Sequence, residues 1–344
     1  MLVGAGASLV VFTVFMRRQL LALASRLKPY ASRESNVSQP ALIVNRWSGD
    51  GKAEKYGLAE AAREAGITVI MLERGNDITQ LAHDAIDAGA DAIGAAGGDG
   101  SLGLVAGVAI ERGVPFFCIP VGTRNHFALD LGLDRDHPLT ALDAIRDGEE
   151  ILIDHGLAGD RPFLNNVSFG VYAEAVHRPE YRENKERTVA QVIEEMRTGE
   201  SSGTAIRFQT PDGEQADRTA MTLVSNNQYI WSGPPDHGRR SRLDDGVMGI
   251  STFAEGTGAD GVTGRAVRHW EAAELRLESD SPILAGLDGE ALSFESPLDL
   301  KIVPRGLRVL VPVGTRPSYL PRREAFAAGV IGLARLAGVP GDES

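Results

Sequence analysis

The 344-residue sequence predicts an α/β chain, a parallel-sheet domain followed by a β-rich domain. Two observations carry this prediction. Between residues 40 and 149, short apolar runs alternate with helix-forming runs across short loops, an order that demands parallel strands joined by right-handed crossovers. From residue 150 to residue 313 the alternation gives way to short strands separated by Gly, Pro, Asp and Ser, which reads as a sandwich or barrel. The chain then divides into an apolar N-terminal segment with a linker (1–39), an α/β domain (40–149), a β-rich domain (150–313) and a helical tail (314–344).

Composition supports two folded cores: 43% of residues are hydrophobic and 24% charged. The net charge of −12 leaves no broad basic surface for nucleic acid and excludes a general nucleic-acid binder. The single cysteine, Cys118, rules out a disulfide framework and fits a reducing compartment. No Cys/His cluster suggests zinc, and no GxSxG elbow suggests a hydrolase; His155, His177 and His237 are scattered.

Met1–Met16 is apolar throughout, shorter than the roughly 20 residues that cross a bilayer comfortably. Arg17, Arg18, Arg26 and Lys28 follow it, which would keep the remainder cytoplasmic if the segment inserted. Residues 1–28 therefore read either as a membrane-associating stretch or as an extra helix, and the location as cytoplasmic. Tyr30–Pro40 is polar and aperiodic, a linker.

Ala41–Val44 is a strand ending in Asn45-Arg46-Trp47-Ser48-Gly49. Lys52 could reach a phosphate or be a solvated surface lysine. Helix 53–65, strand 67–72, helix 78–88 (with His83 on its surface) and strand 92–96 follow. The last strand runs into Gly97-Gly98-Asp99-Gly100-Ser101 and a helix over 102–112. Glycines without Cβ let the main chain approach a phosphate, and the positive end of a helix favours the anion. Strand 115–119 runs into a second such turn, Pro120-Val121-Gly122-Thr123-Arg124-Asn125. In an open parallel sheet both turns line one crevice at the carboxyl ends of the strands, a Rossmann-like arrangement suited to a nucleotide polyphosphate. Gly-Gly-Asp-Gly alone also makes ordinary turns; its pairing with the second loop is what makes the signal specific. A helix over 138–146 closed by Gly148 leads into strands 150–156, 161–168, 204–209, 220–225, 249–253, 274–278, 291–294, 298–303 and 307–311, with a charged helix at 187–197 and an apolar one at 325–336.

GGDGS followed by PVGTRNHFALDLGL resembles the catalytic domain of the diacylglycerol kinase and sphingosine kinase family, patterned GGDGT and PxGTxNDFA. GGDGS by itself also resembles phosphofructokinases and NAD kinases, whereas GTRNHFA resembles only the lipid kinases. The resemblance implies an NAD kinase/diacylglycerol kinase-like fold and ATP-dependent phosphorylation of a lipid hydroxyl, with Mg²⁺. Three departures stand out: Ser101 for threonine keeps the hydroxyl, Arg46 replaces the proline of an NPxSG-like turn, and His126 replaces an aspartate. By position the resemblance assigns nucleotide contacts to Asn45, Ser48, Gly49, Gly97, Gly98, Asp99, Gly100, Ser101, Gly122, Thr123 and Asn125.

Three more stretches match the family. Asn165, Ser168 and Gly170 fall on its FxNxxSxGxxA segment, which reads equally as a strand end or as a substrate contact. Ser241 to Gly249 resembles a loop that holds a structural magnesium, implying the Asp245 carboxylate and the Arg242 and Val247 carbonyls as ligands; Asp245-Gly246 would also make a plain hairpin turn. Asp288-Gly289-Glu290 matches the family's DGE, which implies Glu290 as general base and Asp99 with Asp288 as holders of the catalytic Mg²⁺. The expected partners are a lipid substrate at a membrane surface and, as an oligomer, a homodimer. NAD kinase and a noncatalytic lipid- or nucleotide-binding module are the alternatives.

Overall fold

The structure, a computed structural model, describes residues 30–182, 187–188, 191–192, 195, 206–217, 221–230, 239–240, 242–253 and 267–315. The N-terminal segment 1–28, most of the 187–197 helix, His237 and all but the first two residues of the 314–344 tail lie outside the described residues.

The first half forms as its apolar pattern requires. In chain order it comprises β1 (Ser32–Glu34), β2 (Pro40–Val44), α1 (Lys52–Lys55), α2 (Leu58–Glu64), β3 (Thr68–Met71), α3 (Ile78–Asp87), β4 (Ala92–Gly97), α4 (Asp99–Arg112), β5 (Phe116–Pro120), α5 (His126–Asp130) and α6 (Asp143–Arg146). Strands β2, β4 and β5 are buried at every position, because a parallel sheet covered by helices has no wet face. Asp77 caps α3 by accepting the Thr79 N–H at 2.8 Å, and Gly113 ends α4 in the left-handed conformation, φ 66°.

The second half contains β6 (Glu149–Ala158), β7 (Arg161–Phe163), β8 (Asn166–Gly170), α7 (Val171–Val176), β9 (Arg207–Gln209), β10 (Gln215–Asp217), β11 (Met221–Asn226), β12 (Tyr229–Ile230), β13 (Arg239–Arg240), β14 (Met248–Phe253), β15 (Val267–Ala272), β16 (Glu274–Leu277), β17 (Ile283–Leu287), β18 (Glu290–Phe294) and β19 (Leu298–Val311). A nine-stranded sheet runs β1-β6-β19-β5-β4-β2-β3, with β7 on β6 and β16 on β19; a six-stranded antiparallel sheet runs β15-β14-β11-β8-β17-β18.

Residue 149, where the element order changes in the sequence, lies inside the first sheet rather than between sheets. Strands β6 and β19 pair antiparallel along their length, and Val309 of β19 pairs in parallel with Phe116 of β5. Ile151, Ile153, Leu307 and Val309 join the core of the parallel sheet; Ala158, Leu298, Leu300 and Ile302 join the core under the six-stranded sheet. The two expected strands 298–303 and 307–311 are thus one strand with an irregularity between Val303 and Leu307.

Other expectations are corrected locally. The expected helix 53–65 splits at Gly57, whose left-handed φ of 61° breaks the ladder. The first half of helix 138–146 is a 3-10 turn over Pro138–Leu142. Gly148 does not adopt a left-handed cap; a Cβ there would fall 2.1 Å from the Ala144 carbonyl oxygen, so close packing demands the glycine. Strand 161–168 is interrupted at Leu164 and Asn165, and the polar linker contains β1, paired with β6.

Candidate active site

Three turns converge at the N-terminus of α4. The first follows β2: Asn45 continues the ladder through its N–H to Ala96 O (2.9 Å), and its Nδ2 donates to Ser101 Oγ at 3.0 Å. Ser48 Oγ accepts the Gly98 N–H at 3.0 Å. Arg46 forms a surface pair with Glu54 at 2.7 Å, so side-chain bonds from Asn45 and Ser48 tie down this turn without the family's proline. Gly49 sits at φ 56°, where a Cβ would lie 2.1 Å from Val121 O. Gly122 is pressed so close that a Cβ would stand 2.4 Å from Gly98 Cα. These glycines serve contact between the three loops.

Asn125 is buried at φ 53°; its Nδ2 donates to Gly97 O at 2.7 Å, and its Oδ1 has no protein partner. Thr123 is exposed at the tip of the third turn. The α4 N-cap is Gly98, which offers no side-chain bond, so the helix terminus keeps its positive end for an anion. This donor set fits a phosphate group.

Asp99 works differently from a simple metal ligand. Its two carboxylate oxygens accept the backbone N–H groups of His126 and Phe127, each at 3.1 Å, capping α5, and Asn165 Nδ2 lies 3.4 Å from Oδ1. Each carboxylate oxygen has two lone pairs, so capacity for a cation remains. The expected helix over 102–112 begins earlier, at Asp99, and the sequence pattern predicts no helix at 126–130, so α5 and this cap are new.

Asp288, at φ 48°, accepts the N–H groups of Leu164 (2.7 Å), Asn165 (2.8 Å) and Asn166 (3.0 Å). Burial pushes its carboxyl up to about 6, against the pull of those three amides, and the charge of Asp99 adds to the rise. Asp288 therefore holds the turn between β7 and β8, and much of its acceptor capacity is spent there.

Glu290 begins β18 and lies with Oε1 3.9 Å from where a Cβ on Gly100 would sit. Asp288 and Glu290 stand at one end of a cleft of about 330 Å³ between α4 and β7, floored by Gly100, Gly103 and Gly107 and walled by Pro162. His83, on the surface of α3, stands on this cleft with Nε2 3.7 Å from Glu111. The structure thus brings together Asn45, Ser48, Gly49, Gly97 to Ser101, Gly122, Asn125, Asp288 and Glu290. Ser168 is instead a packing residue: it is buried, and its Oγ donates to Gly286 O at 3.2 Å.

The expected magnesium loop lies apart from these turns. Arg242 forms a forked pair with Asp244 (2.6 and 2.7 Å) and stands 3.7 Å from Asp245. Burial raises the Asp245 carboxyl; Arg242 opposes this, while Asp244, Asp154 and Glu271 add to it. Val247 O already accepts Asn227 N–H at 3.1 Å. Among the described residues no three Asp, Glu, His or Cys side chains gather as a metal-binding group, so a cation here would rest on the Asp245 carboxylate and main-chain carbonyls.

Sequence reasoning passed over Asp130, Asp154, Asn226, Asn227 and Arg240, all buried. Asp154 carried a usable signal, a carboxylate inside the apolar run ILIDHGLA. It accepts from Asn227 Nδ2 (2.8 Å), Gly246 N (2.7 Å) and Arg305 N (2.8 Å). Arg240 carried none, standing in the basic run GRRSR that reads as solvated surface. Cys118 is buried in β5, where burial pushes its thiol up and leaves it inert.

Residues 39–158 match the family model described as the diacylglycerol kinase catalytic domain. A Pseudomonas aeruginosa (strain UCBPP-PA14) protein named "Probable lipid kinase YegS-like" is 27% identical over 307 residues, covering 82% of this chain and 98% of that protein. The protein named "Diacylglycerol kinase" from Mycobacterium tuberculosis (strain H37Rv) is 30% identical over 132 residues, 37% of this chain and 43% of its own length. The crystal structure of a diacylglycerol kinase from Bacillus anthracis str. Sterne superposes with a TM-score of 0.57 at 18% identity, over 82% of this chain and 99% of that one, which shows a shared fold. Residues 39–158 thus carry a segment similar to the diacylglycerol kinase catalytic domain, and the similarity to a protein named as a lipid kinase extends over most of the chain.

Proposed function

We propose that this kinase transfers the γ-phosphoryl group of ATP to a lipid hydroxyl, with diacylglycerol as the acceptor. The observation that supports this reading best is the convergence of the three glycine turns on an uncapped helix terminus beside Asp99, Asp288 and Glu290. Phosphoryl transfer asks little covalent chemistry of a protein; it needs phosphates held, the acceptor oxygen in line and its proton taken late. The main chain at Gly98 to Ser101, with Asn45 and Ser48 bracing it, would hold the phosphates. Glu290 would accept the proton of the lipid hydroxyl, and Asp288 fixes the turn that carries it. Mg²⁺, held by Asp99 with Asp288, would neutralise charge on the phosphates.

Under the same proposal the acceptor is drawn from a membrane surface, and the protein works as a homodimer. Among the described residues no helix is long and apolar enough to cross a membrane. Asp245 with the Arg242 and Val247 carbonyls would hold a second, structural Mg²⁺. The test is to incubate purified protein with labelled ATP, Mg²⁺ and an extracted lipid mixture, and separately with NAD. A labelled lipid supports the proposal and its mobility identifies the acceptor. Labelled NADP without labelled lipid overturns it in favour of NAD kinase, and no transfer at all favours a binding module.

A further inference from the structure

Arg240 is among the largest side chains buried completely in this protein, 1% exposed, on a two-residue strand that pairs Tyr229 with Arg240. Burying a guanidinium is costly unless its donors are met. Here four of the five are. Nε donates to Asp130 Oδ2 at 2.7 Å, one terminal nitrogen to Leu164 O and to Asn226 O (3.0 Å), and the other to Asn165 Oδ1 at 2.8 Å. The guanidinium carbon also lies 5.7 Å from the Tyr229 ring centre, and that tyrosine's hydroxyl accepts from Asn166 Nδ2 at 3.1 Å.

These bonds close a ring. Asp99 caps α5, and Asp130 at the other end of α5 pairs with Arg240. Arg240 then grips Asn165, whose Nδ2 returns to Asp99 at 3.4 Å. Leu164 and Asn165 offer acceptor oxygens to Arg240 and backbone N–H groups to Asp288. The turn is held from both sides, by a cation on one and a carboxylate on the other.

We propose that Arg240, braced by Asp130, is a positioning residue: it sets the Leu164–Asn166 turn, and through Asp288 the placement of Glu290 against the α4 terminus. This rests on the kinase reading for its catalytic consequence, though its structural part stands alone. A planar fork suits this role and an ammonium does not, because only the fork reaches a carboxylate, an amide oxygen and two carbonyls at once.

Two variants of the full chain test it, Arg240→Lys and the apolar pair Asp130→Leu/Arg240→Met, which leaves no unpaired buried charge. Amide exchange, ATP affinity and kcat with the labelled lipid acceptor are measured on each. The expected result is exchange at Leu164–Asn166 faster by about tenfold or more with protection in β4 and β5 retained. ATP affinity should hold within about threefold while kcat falls by about 10²-fold, the scale of a misplaced catalytic group. A purely structural role would leave the turn's protection and kcat intact in any variant that folds, and that result overturns the proposal. Should the pair variant fail to fold, Arg240→Lys decides alone by the same readings. If wild-type protein phosphorylates no lipid, the kinase reading fails, while exchange at 164–166 still decides whether Arg240 holds the turn.

Discussion

Asp288 and Glu290 sit two residues apart on one turn, yet the structure gives them opposite kinds of importance, and alanine at each separates the two. Glu290 opens β18 half-exposed, so its truncation should cost no more than about 1 kcal/mol of stability. If it is the general base, the same change lowers kcat by about 10²–10⁴-fold, or about 2.7–5.4 kcal/mol of transition-state stabilisation. Asp288→Ala strands the N–H groups of Leu164, Asn165 and Asn166. At about 1–3 kcal/mol for each orphaned group the sum is about 3–9 kcal/mol, comparable to the whole stability of an ordinary domain. Alanine also tolerates the left-handed backbone at φ 48° poorly, whereas the asparagine of Asp288→Asn would tolerate it and keep an oxygen for two of the three amides. Stability should therefore rank wild type, then Asp288→Asn, then Asp288→Ala, with Glu290→Ala beside wild type. Denaturant unfolding and phosphoryl transfer from labelled ATP read both quantities on the same preparations. If Glu290→Ala keeps more than about a tenth of the wild-type rate, Glu290 is not the base; an unchanged midpoint for Asp288→Ala would show that the three amides find water instead.

Gly122→Ala forces a Cβ to within 2.4 Å of Gly98 Cα, both sides being main chain, so the two turns must part. Nucleotide titration should show ATP binding weakened by about tenfold or more with the parallel sheet still folded. His155, 3% exposed, has its imidazole pushed down to about 4 by burial, so it contributes stability that is present above pH 6.5 and lost as pH falls toward 4. Asp288, pushed up to about 6, does the reverse: its contribution is present below about pH 4 and lost as pH rises through 6. Each amounts to about 3 kcal/mol and the two oppose one another. Wild-type stability should thus vary little between pH 4 and 6, while His155→Gln should become less stable as pH rises across that window, as measured by urea midpoints. At the proposed structural site, Mg²⁺ should raise the melting temperature of wild type by a few degrees more than that of Asp245→Asn; equal shifts would remove Asp245 from the ligand set.

The parallel half was legible because each of β2, β4 and β5 is buried on both faces and so spells an unbroken apolar word, and because glycines at strand ends mark the turns. β17 escaped notice because Ile283–Leu287 contains a glycine and follows Pro282, features that read locally as a turn; only pairing with β8 and β18 makes it a strand. The union of β6 with β19 joins residues some 150 positions apart, which no local pattern encodes. The same distinction holds in the site. Asp99, Asp288 and Glu290 announce themselves as acids beside glycines. Asp130 and Arg240 mean something only as a pair 110 residues apart.

The long β6–β19 ribbon has a mechanical consequence. A cleft between two bodies joined by slack chain can gape, but here nine residue pairs, from Leu300 with Ala158 to Val311 with Glu149, run from one core into the other. The one place where the ladder slips is the stretch between Val303 and Leu307, and Gly306 there lies so close to the His155 ring that a Cβ would approach it to 2.4 Å. Flexure of this girder is therefore confined to a single joint with a buried imidazole wedged inside it, and the span across which phosphate donor and lipid acceptor must meet is set by the stiffness of a sheet.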